Sequence, residues 1–144
     1  MFNKNLFFLT SFTVLFSLCG NAESSSSFIR HLFPVINSLF ASGPSCIDSA
    51  DLDGDTYFDL VTSNVNTSNI SVLLNDGSGD FPSAANFDAG PSTYSITLGD
   101  VNNDGDMDVA TANLAGDSAS ILIGNGDGTF DTAVNYSTDL LPAG

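Results

Sequence analysis

The sequence predicts an all-β fold made of repeated four-stranded antiparallel units. Three observations predict it. Residues recur at a fixed spacing of 49 along the chain, so that the segment from Asp51 reappears from Asp100 without a gap. The apolar runs are short, rich in β-branched residues and bounded by Gly, Asn and Asp, which is the pattern of strands and tight turns. Each repeat also opens with a nine-residue acidic loop in the same place.

The repeat is legible residue by residue. Asp51, Asp55, Asp59, Thr62, Asn64, Ser71, Leu73, Gly77, Gly79, Phe81, Ala84 and Asn86 recur as the same residue 49 positions later. Leu60, Val72 and Phe87 recur in kind, as Val109, Ile121 and Tyr136. A period of 20–50 residues points to solenoids, propellers or arrays, whose units bury a core by stacking on their neighbours.

Taken in order, the chain starts with an export signal over residues 1–22. Lys4 precedes an apolar run from Leu6 to Leu18, and Gly20 and Ala22 supply small residues for a cut after Ala22. The run is shorter than the roughly 20 residues of a membrane span. A lipoprotein cut before Cys19 is the alternative, disfavoured by the bulk of Leu18. Residues 23–27 form a Ser-rich linker. Residues 28–44 read as the tail of an earlier repeat, because Phe33-Pro34 with Phe40 and Gly43-Pro44 echoes Phe81-Pro82 with Phe87 and Gly90-Pro91. Whole repeats follow over 45–93 and 94–144.

Within a repeat the pattern gives four strands. In the second, one strand leads into the acidic loop (Ile96–Leu98) and one leaves it (Asp108–Asn113). A third covers Ser118–Ile123 and a fourth Phe130–Tyr136. Asn75–Gly79 and Gly124–Gly128 read as hairpin connections, where Asn-Gly and Asp-Gly supply positive φ angles. Four antiparallel strands per 40–50 residues is the pattern of a propeller blade. The expected fold is therefore two full blades plus a partial one. A closed ring needs roughly four to eight blades, so the expectation is an incomplete or open propeller: a truncated reading frame first, self-association or an open array otherwise.

The two loops, Asp51-Leu-Asp-Gly-Asp-Thr-Tyr-Phe-Asp59 and Asp100-Val-Asn-Asn-Asp-Gly-Asp-Met-Asp108, place Asp or Asn at positions 1, 3 and 5 and Asp at position 9. That spacing aims hard oxygens at one point, the requirement of Ca²⁺, which takes six to eight of them in flexible geometry. Without a cation, carboxylates about 4–6 Å apart repel by a few kcal/mol per pair at an effective dielectric near 20. Asp, Asn and Gly are also ordinary turn residues, but turn chemistry alone does not explain two copies of one spacing. An EF-hand is excluded, since position 12 is Thr62 or Thr111 and no helices flank the loops.

The segments Leu98–Ala110 and Ile121–Phe130, with their Asp-Val-Asn-Asn-Asp-Gly-Asp-Met-Asp loop and Gly-Asn-Gly-Asp-Gly-Thr-Phe turn, resemble FG-GAP/VCBS repeats over about residues 40–144. That family builds secreted bacterial propellers and the ligand-binding head of integrin α subunits. The resemblance implies calcium in the loop joining the first two strands of each blade, held by side chains at positions 1, 3, 5 and 9 and a carbonyl at position 7. Carried onto this chain, the ligands are Asp51, Asp53, Asp55 and Asp59 with the Tyr57 carbonyl, and Asp100, Asn102, Asp104 and Asp108 with the Asp106 carbonyl. Position 6 is Gly105 in the second loop but Thr56 in the first. If that position is left-handed, the first site is the less favourable.

Composition narrows the function further. Seventeen acidic residues against two basic ones give a formal net charge of −15. Nucleic acid and anionic membranes are poor partners for a chain with almost no Lys or Arg to meet phosphates. After cleavage Cys46 would be the only cysteine, expected as a buried small side chain with no partner for a disulfide. His31 has no second histidine or nearby cysteine for zinc. No nucleophile elbow, phosphate loop or paired-histidine motif is present, so the chain is not expected to be an enzyme. Two functions fit: a calcium-stabilised binding or adhesion module outside the cell, meeting an extracellular protein or carbohydrate, or an accessory part of a larger secreted enzyme that degrades polysaccharide or phospholipid.

Overall fold

The structure, a computed structural model, describes residues 43–138. The export signal, the Ser-rich linker and nearly all of the partial repeat lie outside the described residues. Among the described residues, eight strands form two four-stranded antiparallel sheets, with one 3-10 turn at Leu114–Gly116. The first sheet has the order β1 (Pro44–Ala50), β2 (Asp59–Asn64), β3 (Asn69–Leu73), β4 (Ala85–Asp88). The second has β5 (Thr93–Gly99), β6 (Asp108–Asn113), β7 (Ser118–Leu122), β8 (Val134–Ser137) in the same order. These are two open, propeller-like blades, and the described residues form no closed barrel.

Each strand of the second sheet starts 49 residues after its counterpart. The repetition extends to the backbone torsions. The twelve described residues with positive φ fall into six pairs at that spacing, among them Thr56 with Gly105, Ser68 with Asp117 and Gly77 with Gly126. Both sheets carry an irregular step in the first strand, between Pro44 and Cys46 and between Thr93 and Ser95. The anticipated strands match closely except for the fourth. Phe130 makes only a single bridge to Gly124, and regular pairing resumes at Val134. The glycine-rich hairpin pulls the chain out of register there, so the strand is shorter than its apolar pattern suggests.

The register fixes what each face carries. On β2 and β3 of the first sheet, Val61 pairs with Val72 and Ser63 with Ile70, and Cys46 of β1 pairs with Ser63. These residues share one face. They pack against Ile96, Val109 and Leu122 of the second sheet to form the core, with Leu52 and Phe130 closing it. The rings of Phe87 and Phe130 meet edge to face at 5.5 Å across the two sheets. Each fully buried Val, Leu or Ile contributes about 1.5–3 kcal/mol relative to exposure. Cys46 is buried as expected, with its sulfur 3.8 Å from the Ile96 carbonyl oxygen. Among the described residues no cysteine is a free thiol. The lone Cys46 of the sequence reading applies only to a chain that has lost its leader.

Polar contacts tie the sheets at their first strands. The Ser45 and Ser63 hydroxyls donate to the Tyr94 carbonyl (2.6 and 3.0 Å), and the Leu98 N–H donates to the Asp48 carboxylate (3.0 Å). A buried polar row crosses each sheet as well. Thr62 donates to Asn64, whose amide donates to Ser71 (2.7 Å), which donates to Asn86 (2.6 Å). Thr111, Asn113, Ser120 and Asn135 repeat it in the second sheet. No buried side-chain nitrogen or oxygen among the described residues lacks a hydrogen-bond partner, as a stable core requires.

Candidate metal centre

The acidic loops join the first and second strands of each sheet, residues 51–58 between β1 and β2 and residues 100–107 between β5 and β6. Their carboxylates fold inward because each accepts backbone N–H groups of the same loop. Asp51 takes the N–H of Gly54 on Oδ1 (2.8 Å) and of Thr56 on Oδ2 (2.9 Å). Asp53 accepts from Asp55 N–H (3.2 Å), and Asp55 from Tyr57 N–H (2.8 Å). The second loop repeats this. Asp100 accepts from Asn103 and Gly105, Asn102 from Asp104, and Asp104 from Asp106.

Such closure needs left-handed backbone at positions 4 and 6. Gly54 and Asn103 provide the first (φ 78° and 61°), Thr56 and Gly105 the second (φ 76° and 99°). Position 6 is thus left-handed in both loops, and Thr56, a β-branched residue, holds a conformation unfavourable to it.

Asp59 and Asp108 do more than close the loops. Both are fully buried. Asp59 accepts the Leu52 N–H on Oδ2 and the Asn75 N–H on Oδ1, both at 2.8 Å. One carboxylate therefore joins the acidic loop to the hairpin that follows β3. Asp108 does the same with Val101 and Gly124. Burial raises the Asp59 pKa above the ordinary value; the two N–H bonds oppose this, and the nearby charges of Asp53 and Asp55 add to it. Asp104, in contrast, is held below its ordinary value by the Asp106 N–H and the Asn102 amide.

Asp51, Asp53 and Asp59 come together, with one oxygen of each within 4.8 Å of the others. Asp55 stands outside that group. No second group of three carboxylates gathers so closely among the described residues. In the second loop position 3 is Asn102, whose amide donates to Asp104 (2.6 Å). Tyr57 and Asp106, expected to offer carbonyls, place their side chains over the hairpin glycines. A Cβ on Gly77 would fall 2.9 Å from the Tyr57 ring and one on Gly126 2.5 Å from Asp106 Oδ1.

These residues fit a hard divalent cation. Residues 43–138 hold fifteen aspartates and no lysine, arginine or histidine, so no side chain of this segment can neutralise Asp51, Asp53 and Asp59. Each accepts only backbone N–H groups and keeps lone pairs for an ion. The buried Asp59 in particular carries a charge that desolvation disfavours and that a cation would offset.

The sequence reading did not foresee the double anchoring by Asp59 and Asp108 or the Thr-Asn-Ser-Asn rows. The signal was present: Asp59, Thr62, Asn64, Ser71 and Asn86 all recur unchanged, and invariance between repeats marks a buried polar partner as readily as a ligand.

Comparison with known proteins bears on this segment. No curated protein and no solved structure matches the chain. The FG-GAP-like repeat family matches residues 51–111, from the first position of one loop through the whole of the other and into β6. Loop, hairpin and strand order recur in both sheets, and over residues 51–111 the chain is similar to FG-GAP-like repeats.

Proposed function

We propose that the chain is a calcium-stabilised, non-catalytic binding module that works outside the cell. The observation that carries this reading is the convergence of the Asp51, Asp53 and Asp59 oxygens within 4.8 Å in a segment without one basic side chain. Oxygen-only donors on a flexible loop suit Ca²⁺ better than Mg²⁺, which favours rigid octahedral sites with retained waters. The ions hold each loop closed against the hairpin that Asp59 or Asp108 already grips. The rigid blades then present those loops and hairpins to an extracellular protein or carbohydrate, and the acidic surface turns away polyanions. The export signal read at residues 1–22 supports the location. Among the described residues no helix is long and apolar enough to cross a membrane.

Isothermal titration of the chelator-treated chain with Ca²⁺ tests this. Two sites with dissociation constants of about 10⁻⁴–10⁻³ M, the range of extracellular modules, are expected, together with a melting temperature that falls in chelator and returns with calcium. No heat and an unchanged melting curve would reject it.

A further inference from the structure

The hairpin of the second blade is held at both ends by acidic loops, one from each blade. At its start, Gly124 donates its N–H to Asp108 Oδ1 (2.9 Å), and Asp108 Oδ2 takes the Val101 N–H (2.8 Å). Val101 stands between Asp100 and Asn102 of the second loop. At its end, Gly128 donates its N–H to the Leu52 carbonyl (3.0 Å). Leu52 stands between Asp51 and Asp53 of the first loop. Two backbone bonds close the hairpin itself, Asn125 N–H to the Thr129 carbonyl (3.0 Å) and Asp131 N–H to the Ile123 carbonyl (2.8 Å). A shift at one end is therefore carried to the other.

The contact at Leu52 is built, not incidental. The Leu52 N–H is held by Asp59 Oδ2 (2.8 Å), its side chain is buried in the core with Phe130, and its carbonyl meets Gly128. Gly128 is buried at φ 79°, and a Cβ there would fall 2.7 Å from Leu74 Cδ2, at the end of β3. The second hairpin thus lies backbone-on against the first blade, at a distance only glycine allows. The flanking carboxylates act on the same peptide units. Oxygens of Asp51, Asp53 and Asp59 lie within 4.8 Å of one another, so their repulsion, when no cation offsets it, works on the backbone either side of Leu52.

We infer that the two loops are coupled through this hairpin, so that calcium at the first tightens calcium at the second, and the reverse. The inference rests on the calcium reading above and adds the link between the sites. A closed first loop fixes the Leu52 carbonyl, which orders the hairpin through Gly128. The ordered hairpin fixes Gly124 against Asp108, and Asp108 sets the second loop through Val101. A loop already ordered by its neighbour binds without that ordering cost. Linkage makes the effect mutual. Charge alone acts with the opposite sign, since two cations on one chain repel.

Calcium titration of the full chain followed by amide NMR tests the coupling. The Thr56 and Gly105 N–H groups, each bonded to the first aspartate of its own loop, report the two sites separately. Asp53→Ala, which weakens the first site, should raise the calcium midpoint at Gly105 about fivefold, the low end of couplings between sites. It should also speed hydrogen exchange at Gly128. Charge alone predicts a lower midpoint, because the variant without the first ion is the more negative. Asp104→Ala should in turn raise the midpoint at Thr56. Gly128→Ala should raise the Gly105 midpoint and abolish its response to Asp53→Ala. Gly79→Ala has a similar φ penalty, but its Cβ would meet nothing within 4 Å, and it should leave that midpoint unchanged. If Gly128→Ala does not fold, the Asp53→Ala midpoint and the Gly128 exchange rate still decide. Signals that move with calcium while Asp53→Ala leaves the Gly105 midpoint unchanged or lower overturn the coupling and keep the calcium reading. Signals that do not move at either loop reject the calcium reading and the coupling with it.

Discussion

Thr56 holds the left-handed backbone that Gly105 holds one repeat later, at φ 76° against 99°. Both N–H groups donate to the first aspartate of their loop, Asp51 or Asp100. The loop geometry is therefore imposed by the aspartate, and Thr56 bears the strain. Such strain costs about 1–3 kcal/mol, while glycine adds about 0.5–1 kcal/mol of unfolded-state entropy. Thr56→Gly is expected to stabilise the chain by about 1 kcal/mol net, and Gly105→Thr to destabilise it. Urea unfolding of both variants in calcium reads the difference. A loss of stability in Thr56→Gly would mean that the threonine makes a compensating contact.

Asp59 and Asp53 separate anchoring from ligation. Asp59→Asn keeps the shape but leaves one oxygen for two backbone N–H groups. One buried donor then lacks a partner, at a cost of about 1–3 kcal/mol, with or without calcium. Asp53 accepts one exposed N–H at 3.2 Å, so Asp53→Ala should matter only through the ion. Melting curves with and without chelator distinguish them: Asp59→Asn is lower in both, Asp53→Ala lower in calcium alone. Equal effects of Asp53→Ala in the two conditions would remove it from the ligand set.

Much of the fold was legible because a repeat states each choice twice. The loops, the hairpin glycines and the strand order all followed from residues that recur at 49. What stayed hidden depends on which neighbour a face meets. Leu52 and Val101 occupy the same loop position, yet Leu52 is in the core and Val101 is 54% exposed, because only the first has another sheet beside it. Its carbonyl accepts the Gly128 N–H at 3.0 Å, a contact between blades that no local pattern encodes. The site was legible in its carboxylates but not in their grouping. Nothing in the sequence says that Asp55 turns to Tyr57 N–H while Asp53 joins Asp51 and Asp59.

The hairpin aspartates set an acid limit independent of the ion. Asp127 is held below its ordinary pKa by the Thr129 hydroxyl and N–H, and Asp76 by the Ser78 hydroxyl and N–H. A carboxylate whose folded pKa is depressed stabilises the fold above the unfolded value of 3.8 and loses that contribution as pH falls through the folded value. The relevant window lies below pH 4. Thr129→Ala should raise the Asp127 pKa toward its ordinary value in a carboxyl NMR titration and leave that of Asp76 unchanged. A matching rise at Asp76 would show that the shift is a global charge effect.

The buried rows should be costly to interrupt. The Asn64 amide donates to both Ser71 Oγ (2.7 Å) and Asn69 Oδ1 (2.9 Å). Asn64→Ala leaves a cavity and two acceptors without that donor, so a loss of about 2–3 kcal/mol is expected. Asn113→Ala should act alike in the second sheet, where Ser120 and Ser118 are the acceptors. Chemical denaturation measures both. A loss under half a kcal/mol in either would mean that water takes the place of the amide.

Gly124 and Gly105 should fail differently when given a side chain. A Cβ on Gly105 would meet nothing within 4 Å, so Gly105→Ala pays only for its φ of +99°, about 1–2 kcal/mol. A Cβ on Gly124 would lie 2.2 Å from the Met107 carbonyl oxygen. That atom is backbone, and the neighbouring Asp108 carboxylate holds the Gly124 N–H at 2.9 Å, so neither side can yield cheaply. Gly124→Ala is expected to cost about 3 kcal/mol, at the upper end of overpacking, and to weaken calcium binding at the second loop because the Asp108 anchor shifts with the hairpin. Gly105→Ala should cost less stability. Denaturation and calcium titration of the two variants decide it, and a milder loss in Gly124→Ala than in Gly105→Ala would show that the hairpin moves aside more freely than the anchored carboxylate implies.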